Sequence, residues 1–193
     1  SKTSNKMPAL FISHGSPMNI LADNTFTQSL KALGKTLPKP KAILVISAHW
    51  YTKGTYLSDA KNPETMYDFF GFPEPLYDFT YPALGAPKIA QNLHQNSELF
   101  KLKNRGLDHG AYSVLTHLFP DADVPVFQMS IDRTKKEAYH YKLGRYLQEL
   151  RHQGVMIIGS GGVTHNLNDF KRDTNAPIAP WAQQFDSYIK KAL

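Results

Sequence analysis

The chain has 193 residues, 41% of them hydrophobic and 12% aromatic, which suits one globular domain with a sizeable core. It contains no cysteine, which excludes disulfides and thiolate chemistry and makes a reducing cytoplasm the expected compartment. The formal charge of +6 is spread over dispersed lysines and arginines, and no apolar run reaches membrane-span length, so neither a nucleic-acid arm nor a membrane anchor is expected.

Residues 1–6 are small and polar and read as a disordered lead-in, with the catalytic domain over 7–193. Ala9 to Ser13 is a short apolar strand, followed by the tight turn His14-Gly-Ser-Pro17. Asp23 to Leu37 reads as a helix, since Phe26, Leu30 and Leu33 share one face, and Pro38 and Pro40 end it. Lys41 to Trp50 is the most informative stretch. From Ala42 to Ser47 it is apolar except for its last residue and rich in β-branched side chains, the pattern of a strand buried on both faces. It ends in Ser47-Ala-His-Trp50.

Tyr51 to Leu84 differs in texture. Aromatic residues from Tyr56 to Tyr81 alternate with Pro63, Pro73, Pro75 and Pro82, without a helical or strand period. Such a segment either packs its rings on the sheet or forms a pocket wall or lid. Ala86 to Leu99 reads as a helix and Lys101 to Leu107 as a short strand. Asp108-His-Gly110 opens a helix running to Leu118. Pro125 to Ile131 is a strand, Glu137 to Gln153 an amphipathic helix capped by Gly154, and Val155 to Ile158 a buried strand leading into Gly159-Ser-Gly-Gly. Trp181 to Leu193 is helical in pattern. Alternating strands and helices predict a single α/β domain. A central, mostly parallel or mixed sheet is flanked by helices, with the active site at the C-terminal ends of the strands.

Four of the histidines share that edge in this reading. His14 and His49 directly follow buried strands, His165 follows the Gly-rich turn, and His109 heads a helix. A lone histidine at a strand end is more often a hydrogen-bonded structural residue. Four at matching topological positions point to a metal site, because neutral imidazole binds iron and zinc well. His94, His117, His140 and His152 lie inside helical patterns and read as surface or packing residues. Gly159-Ser-Gly-Gly lacks the Lys-Ser/Thr ending of a phosphate-binding loop, and no Gly-x-Ser-x-Gly elbow surrounds Ser16 or Ser160. Metal-assisted hydrolysis stays open as an alternative.

Met7-Pro-Ala-Leu-Phe-Ile-Ser-His-Gly-Ser-Pro-Met18, Ser47-Ala-His-Trp50, Asp108-His-Gly110 and the Gly159 to Leu167 stretch ending in Thr-His-Asn-Leu occur in this order and spacing. Together they resemble the class III extradiol ring-cleavage dioxygenases, closest to the DOPA 4,5-dioxygenase branch. The resemblance implies a non-haem Fe(II) enzyme of the cytoplasm, with Zn(II) as another bound metal. It would open a catechol-type small molecule with O2, inserting both oxygen atoms. It implies His14 and His49 as metal ligands. His165 corresponds either to an acid/base residue or to a further metal ligand, and His109 to a catalytic residue beside a substrate hydroxyl. Members of this branch continue past the position matching Leu193 into a segment with a Glu-His pair that adds a ligand. A shortened site is therefore expected, and a zinc-dependent hydrolase or an inactive ligand-binding remnant remain the alternatives. The resemblance leaves monomer and homodimer open and implies no nucleic-acid or membrane partner.

Overall fold

The computed structural model describes residues 6–134, 137–161 and 171–173. Strands β1 (Ala9–Ser13), β2 (Ala42–Thr52), β3 (Thr55–Ser58), β4 (Phe100–Lys103), β5 (Val126–Asp132), β6 (Val155–Gly161) and β7 (Lys171–Asp173) form one sheet in the order β4-β3-β5-β2-β6-β1-β7. The central four, β5-β2-β6-β1, are all parallel. β3 and β4 are parallel to each other and run against β5, and β7 runs against β1 at the opposite edge. The predicted α/β architecture with a mixed sheet is the one observed.

The sequence pattern explains the layering. Along β2, Ala42, Leu44 and Ile46 face one hydrophobic cluster and Ile43 and Val45 the other. An unbroken apolar run is what a two-sided buried strand requires. Helices α3 (Pro87–Asn96) and α5 (Glu137–His152) cover the first face, through Ala90 and through Leu143, Leu147 and Leu150. Helices α1 (Thr25–Thr36) and α4 (His109–Leu118) cover the second. On that face Leu30, Ala111, Tyr112, Val114 and Leu115 are completely buried. Leu30, Val114 and Leu115 each contribute roughly 1.5–3 kcal/mol by leaving water. Asn24 caps α1 with a reciprocal pair of bonds: its side chain accepts from the Thr27 N–H, and Thr27 Oγ1 accepts from the Asn24 N–H.

Some elements differ from expectation. The aromatic segment contains β3, a four-residue strand, and the short helix α2 (Pro75–Asp78). The strand expected over Lys101–Leu107 shrinks to Phe100–Lys103, while Leu107 forms an isolated bridge with Thr65. β6 extends three residues past Ile158, so the Gly-Ser-Gly stretch is strand rather than turn. Its Ser160 pairs with Ile12 of β1 and Ser47 of β2, a register that puts the ends of β1 and β6 level with Ser47, where the β2–β6 pairing stops. The helix expected over 181–193 lies outside the described residues, as do residues 1–5 of the lead-in expected over 1–6. Among the described residues no helix is long and apolar enough to cross a membrane.

Candidate metal centre

The three parallel strands deliver the site at their carboxyl edge, where open α/β sheets bind ligands. His14 is the first residue after β1. Its backbone N–H donates to Gly161 O at 3.2 Å, extending the β1–β6 ladder by one step. Gly15 then takes φ +65°, a left-handed conformation that turns the chain away and leaves the imidazole at the edge.

His49 is presented differently. Pairing between β2 and β5 is regular to Ile46–Met129 and resumes at Tyr51–Ile131, so Ser47 to Trp50 bulge opposite the single residue Ser130. Bulges re-aim side chains next to functional sites, and this one sets His49 at the rim with Ser47 and Trp50 buried beside it. His109 is the first residue of α4, whose N-cap Asp108 accepts from the Ala111 N–H at 3.1 Å. Close approach of α4 to β2 depends on Gly110. A Cβ there would lie 2.6 Å from Ser47 Oγ and 3.0 Å from His49 Cδ2.

The three imidazoles meet. One ring nitrogen from each of His14, His49 and His109 lies within 4.8 Å of the other two. His14 Nε2 and His49 Nε2 are 2.7 Å apart. The rings of His49 and His109 have centroids 4.0 Å apart, tilted by 37°. The hydrogen bonds settle one tautomer. Ser160 Oγ donates its single proton to Gly110 O at 2.5 Å, so it can only accept from His14 Nδ1 at 2.8 Å. His14 therefore carries its proton on Nδ1 and directs a lone pair from Nε2 into the cluster. That arrangement, one ring nitrogen tied to a protein acceptor and the other free, is how metal-ligating histidines are oriented. Neutral imidazole donors converging on one point fit a borderline divalent cation.

Electrostatics disfavour a proton on His14 and on His49. His14 is 2% exposed, and burial, reinforced by His49 and His109, holds its pKa well below the usual histidine range. His49 is exposed at its rim, yet burial of the ring between its neighbours and then the charge of His109 lower its pKa too. Asp68 lies against His109. Its Oδ1 accepts from the His109 backbone N–H at 3.0 Å, and its Oδ2 sits 2.9 Å from Nδ1, off the line of a hydrogen bond. Burial alone would raise the Asp68 carboxyl, but its hydrogen bonds and charge interaction with His109 outweigh that and hold it below the usual carboxylate range.

Beneath the site is a buried polar network centred on Asp108, which is fully buried. Its carboxylate accepts from Ser47 Oγ at 2.8 Å, Gln128 Nε2 at 3.1 Å and Arg105 Nη1 at 3.1 Å. The Arg105 guanidinium stacks on Trp50, 4.4 Å from the ring centroid. Ser47 Oγ in turn accepts from the His49 N–H at 3.1 Å. On the open side stand rings of the aromatic segment. Phe69 meets His109 edge-on at 5.5 Å, and Tyr77 and Phe72 pack on Phe69. Phe70 is 91% exposed. Of the two readings of this segment, ring packing is the one seen, within the segment and against His109.

His14, His49 and His109 thus come together as their positions at strand ends and helix start suggested. His165, expected as ligand or acid/base, lies outside the described residues. His94 and His117 are hydrogen-bonded to backbone carbonyls, Phe100 O at 2.8 Å and Asn19 O at 2.7 Å, as packing residues should be. The side chain of His140 lies outside the described residues. Sequence reasoning missed Asp68 and Ser160. The only sequence signal for Asp68 was a carboxylate embedded in an aromatic segment. Ser160 reads from sequence only as a nucleophile candidate without its elbow.

The depressed histidines have a consequence for stability. Below pH about 6.5 a histidine in the unfolded chain takes up a proton that buried His14 refuses, so the unfolded state binds more protons and stability rises with pH. The metal-free protein is expected to lose stability as pH falls from 7 toward 5, by up to about 1.4 kcal/mol per pH unit from His14 alone. Urea denaturation across that range checks it. A flat or opposite dependence would mean that burial does not hold His14 neutral.

Parallel strands that gather three imidazoles and a carboxylate at their carboxyl edge define an α/β protein with a histidine-rich, metal-capable centre. The chain belongs to the LigB family: the family described as the catalytic LigB subunit of aromatic ring-opening dioxygenase matches residues 8–193. It is 46% identical over 195 residues to the 4,5-DOPA dioxygenase extradiol of Escherichia coli (strain K12), covering 99% of this chain and 72% of that protein. The Beta vulgaris protein of the same name is 44% identical over 195 residues, covering 95% of this chain and 71% of that one. The crystal structure of an uncharacterized Escherichia coli K12 protein superposes with a TM-score of 0.66 at 44% identity, covering 84% of this chain. The match spans 62% of that solved chain.

Proposed function

We propose that this protein is a metal-dependent extradiol dioxygenase that opens the ring of a catechol, DOPA-like in type, with O2. The observation that carries the reading is the convergence of three imidazoles on one point at the sheet edge, in a chain of the LigB family. His14 and His49 are the proposed ligands, with His165 a further ligand or acid/base residue. Fe(II) is the expected metal and Zn(II) the other candidate. When bound, the metal would supply a Lewis acid and redox centre that brings catechol and O2 together.

The protein groups do the rest. His14 Nε2 offers a lone pair because Ser160 holds the Nδ1 proton. His109 is the proposed acceptor for a catechol hydroxyl proton, since a neutral imidazole can take one at neutral pH. The rings of Phe69, Phe72 and Tyr77 offer a wall for a planar phenol. Overall, catechol and O2 give a ring-opened semialdehyde: the carbon–carbon bond beside the two oxygens breaks, and both atoms of O2 enter the product.

The test is anaerobic loading with Fe(II), addition of a catechol such as DOPA, and then air. Expected are a yellow ring-opened product and one O2 consumed per catechol. A metal-loaded protein that consumes no O2 and yields no semialdehyde would reject the reading, and ester hydrolysis supported by Zn(II) alone would favour the hydrolase alternative.

A further inference from the structure

We infer that Asp68 is a positioning residue that fixes His109 in the Nδ1–H tautomer, leaving Nε2 as the nitrogen that works in the cluster. The inference rests on the reading of His109 as the proton acceptor, and goes beyond it by naming the group that makes His109 competent.

The argument begins with what surrounds each ring nitrogen. His109 Nδ1 is buried from water, and its nearest polar neighbour is Asp68 Oδ2 at 2.9 Å. A bare nitrogen lone pair facing a carboxylate oxygen at that distance would be repulsive. A proton on Nδ1 replaces that repulsion with attraction between its partial positive charge and the carboxylate, even short of ideal alignment. Nε2 has no partner among the described residues, so with the proton on Nδ1 it keeps its lone pair. The same logic orients histidines at metal and acid/base centres generally.

Asp68 is held where it can do this. Its other oxygen, Oδ1, is engaged by the His109 backbone N–H at 3.0 Å, so the carboxylate spans the first residue of α4 from backbone to ring. The chain just before it is fastened on both sides. The Met66 N–H donates to Leu107 O at 2.8 Å, and Tyr112 Oη donates to Met66 O at 2.7 Å. Next to it, Tyr67 Oη donates to Phe79 O at 2.6 Å. The His109 side chain is 7% exposed and its Nδ1 is shut off from water, while the Asp68 side chain is 19% exposed, so the contact is screened only from the Asp68 side. Asp68 stands in the aromatic segment, so the wall that would face a substrate also sets the tautomer of the base.

The geometry makes an unusual forecast for Asp68→Asn. The His109 backbone N–H still needs an acceptor in the Oδ1 place, and the amide oxygen takes it. The amide NH2 is then left facing Nδ1. It can only donate, so Nδ1 must accept and the proton must move to Nε2. The isosteric variant should therefore be worse than Asp68→Ala, which forces neither tautomer. Asp68→Glu, which keeps a carboxylate, should recover part of the loss.

The experiment pairs a tautomer readout with kinetics. Nitrogen NMR of the metal-free full chain with isotope-labelled histidine reads the tautomer directly, the His109 signal being assigned by its loss in His109→Gln. The expected result is Nδ1–H in the wild type and Nε2–H in Asp68→Asn. With Fe(II) and a catechol, kcat of Asp68→Asn should fall about 10²–10⁴-fold, the range for loss of a general base, while KM changes little. Asp68→Ala should fall less. An unchanged tautomer in Asp68→Asn, or turnover by Asp68→Asn at or above that of Asp68→Ala, overturns the inference. A tautomer change in a chain whose wild type opens no catechol would leave the positioning role standing and sink the dioxygenase reading instead.

Discussion

Replacing His14 with alanine is expected to lower affinity for a divalent metal by more than about 100-fold, because loss of a mere supporting partner at such sites already costs 10–100-fold. The reason is specific to His14. Its tautomer is set by the Ser160 hydroxyl, whose own proton is committed to Gly110 O. Its Nε2 is therefore a preformed donor, and it lies 2.7 Å from Nε2 of His49. No other described side chain can replace it, since the cluster consists of His14, His49 and His109. His49→Ala should lose metal to a similar degree. His109→Ala should retain most of the affinity and lose turnover if His109 accepts a proton rather than binding the ion. Competition with a chelator, together with metal content per chain, measures all three. Retention of affinity within a few-fold in His14→Ala would show that the ion sits elsewhere.

Replacing Asp108 with alanine is expected to destabilise the fold by about 3–5 kcal/mol, the range for breaking a buried ion pair by removing one partner. The variant leaves the Arg105 guanidinium, 10% exposed, without its counter-ion. It also removes the acceptor for Ser47 Oγ, Gln128 Nε2 and the Ala111 N–H at the start of α4. Domains have only 5–15 kcal/mol in total, so the effect should be large on denaturant unfolding. Asp108→Asn keeps an acceptor for the helix cap and should lose less. The loss would spread to the site, because Ser47 Oγ also holds the His49 backbone on the bulge. A change under about 1 kcal/mol for Asp108→Ala would show that water or rearranged partners replace the carboxylate, contrary to its full burial.

Both predictions concern groups of unequal visibility in the sequence. His14 and His49 could be picked out because each ends an apolar, β-branched run, and such runs become parallel strands whose carboxyl ends share an edge. His109 carried a weaker signal, an Asp-His-Gly start to a helix. Asp108 reads from sequence only as part of a helix start; its contacts with Ser47 and Gln128 span 61 and 20 residues. Asp68 reaches His109 across 41 residues from a segment with no periodicity at all. Strand β3 and the edge strand β7 escape the sequence reading, because runs of four and three residues are too short for an alternating pattern.

By itself the sequence determined the α/β layering, the four central strands, their helices and the family, because burial imposes a period on local sequence and the family's histidine motifs are local too. Only the tertiary structure decided the bulge that turns His49 to His14, the hydroxyl that sets the His14 tautomer and the carboxylate set against His109. Those features depend on which distant backbone or side chain supplies a hydrogen-bond partner, and pairing across the fold leaves no period in the chain.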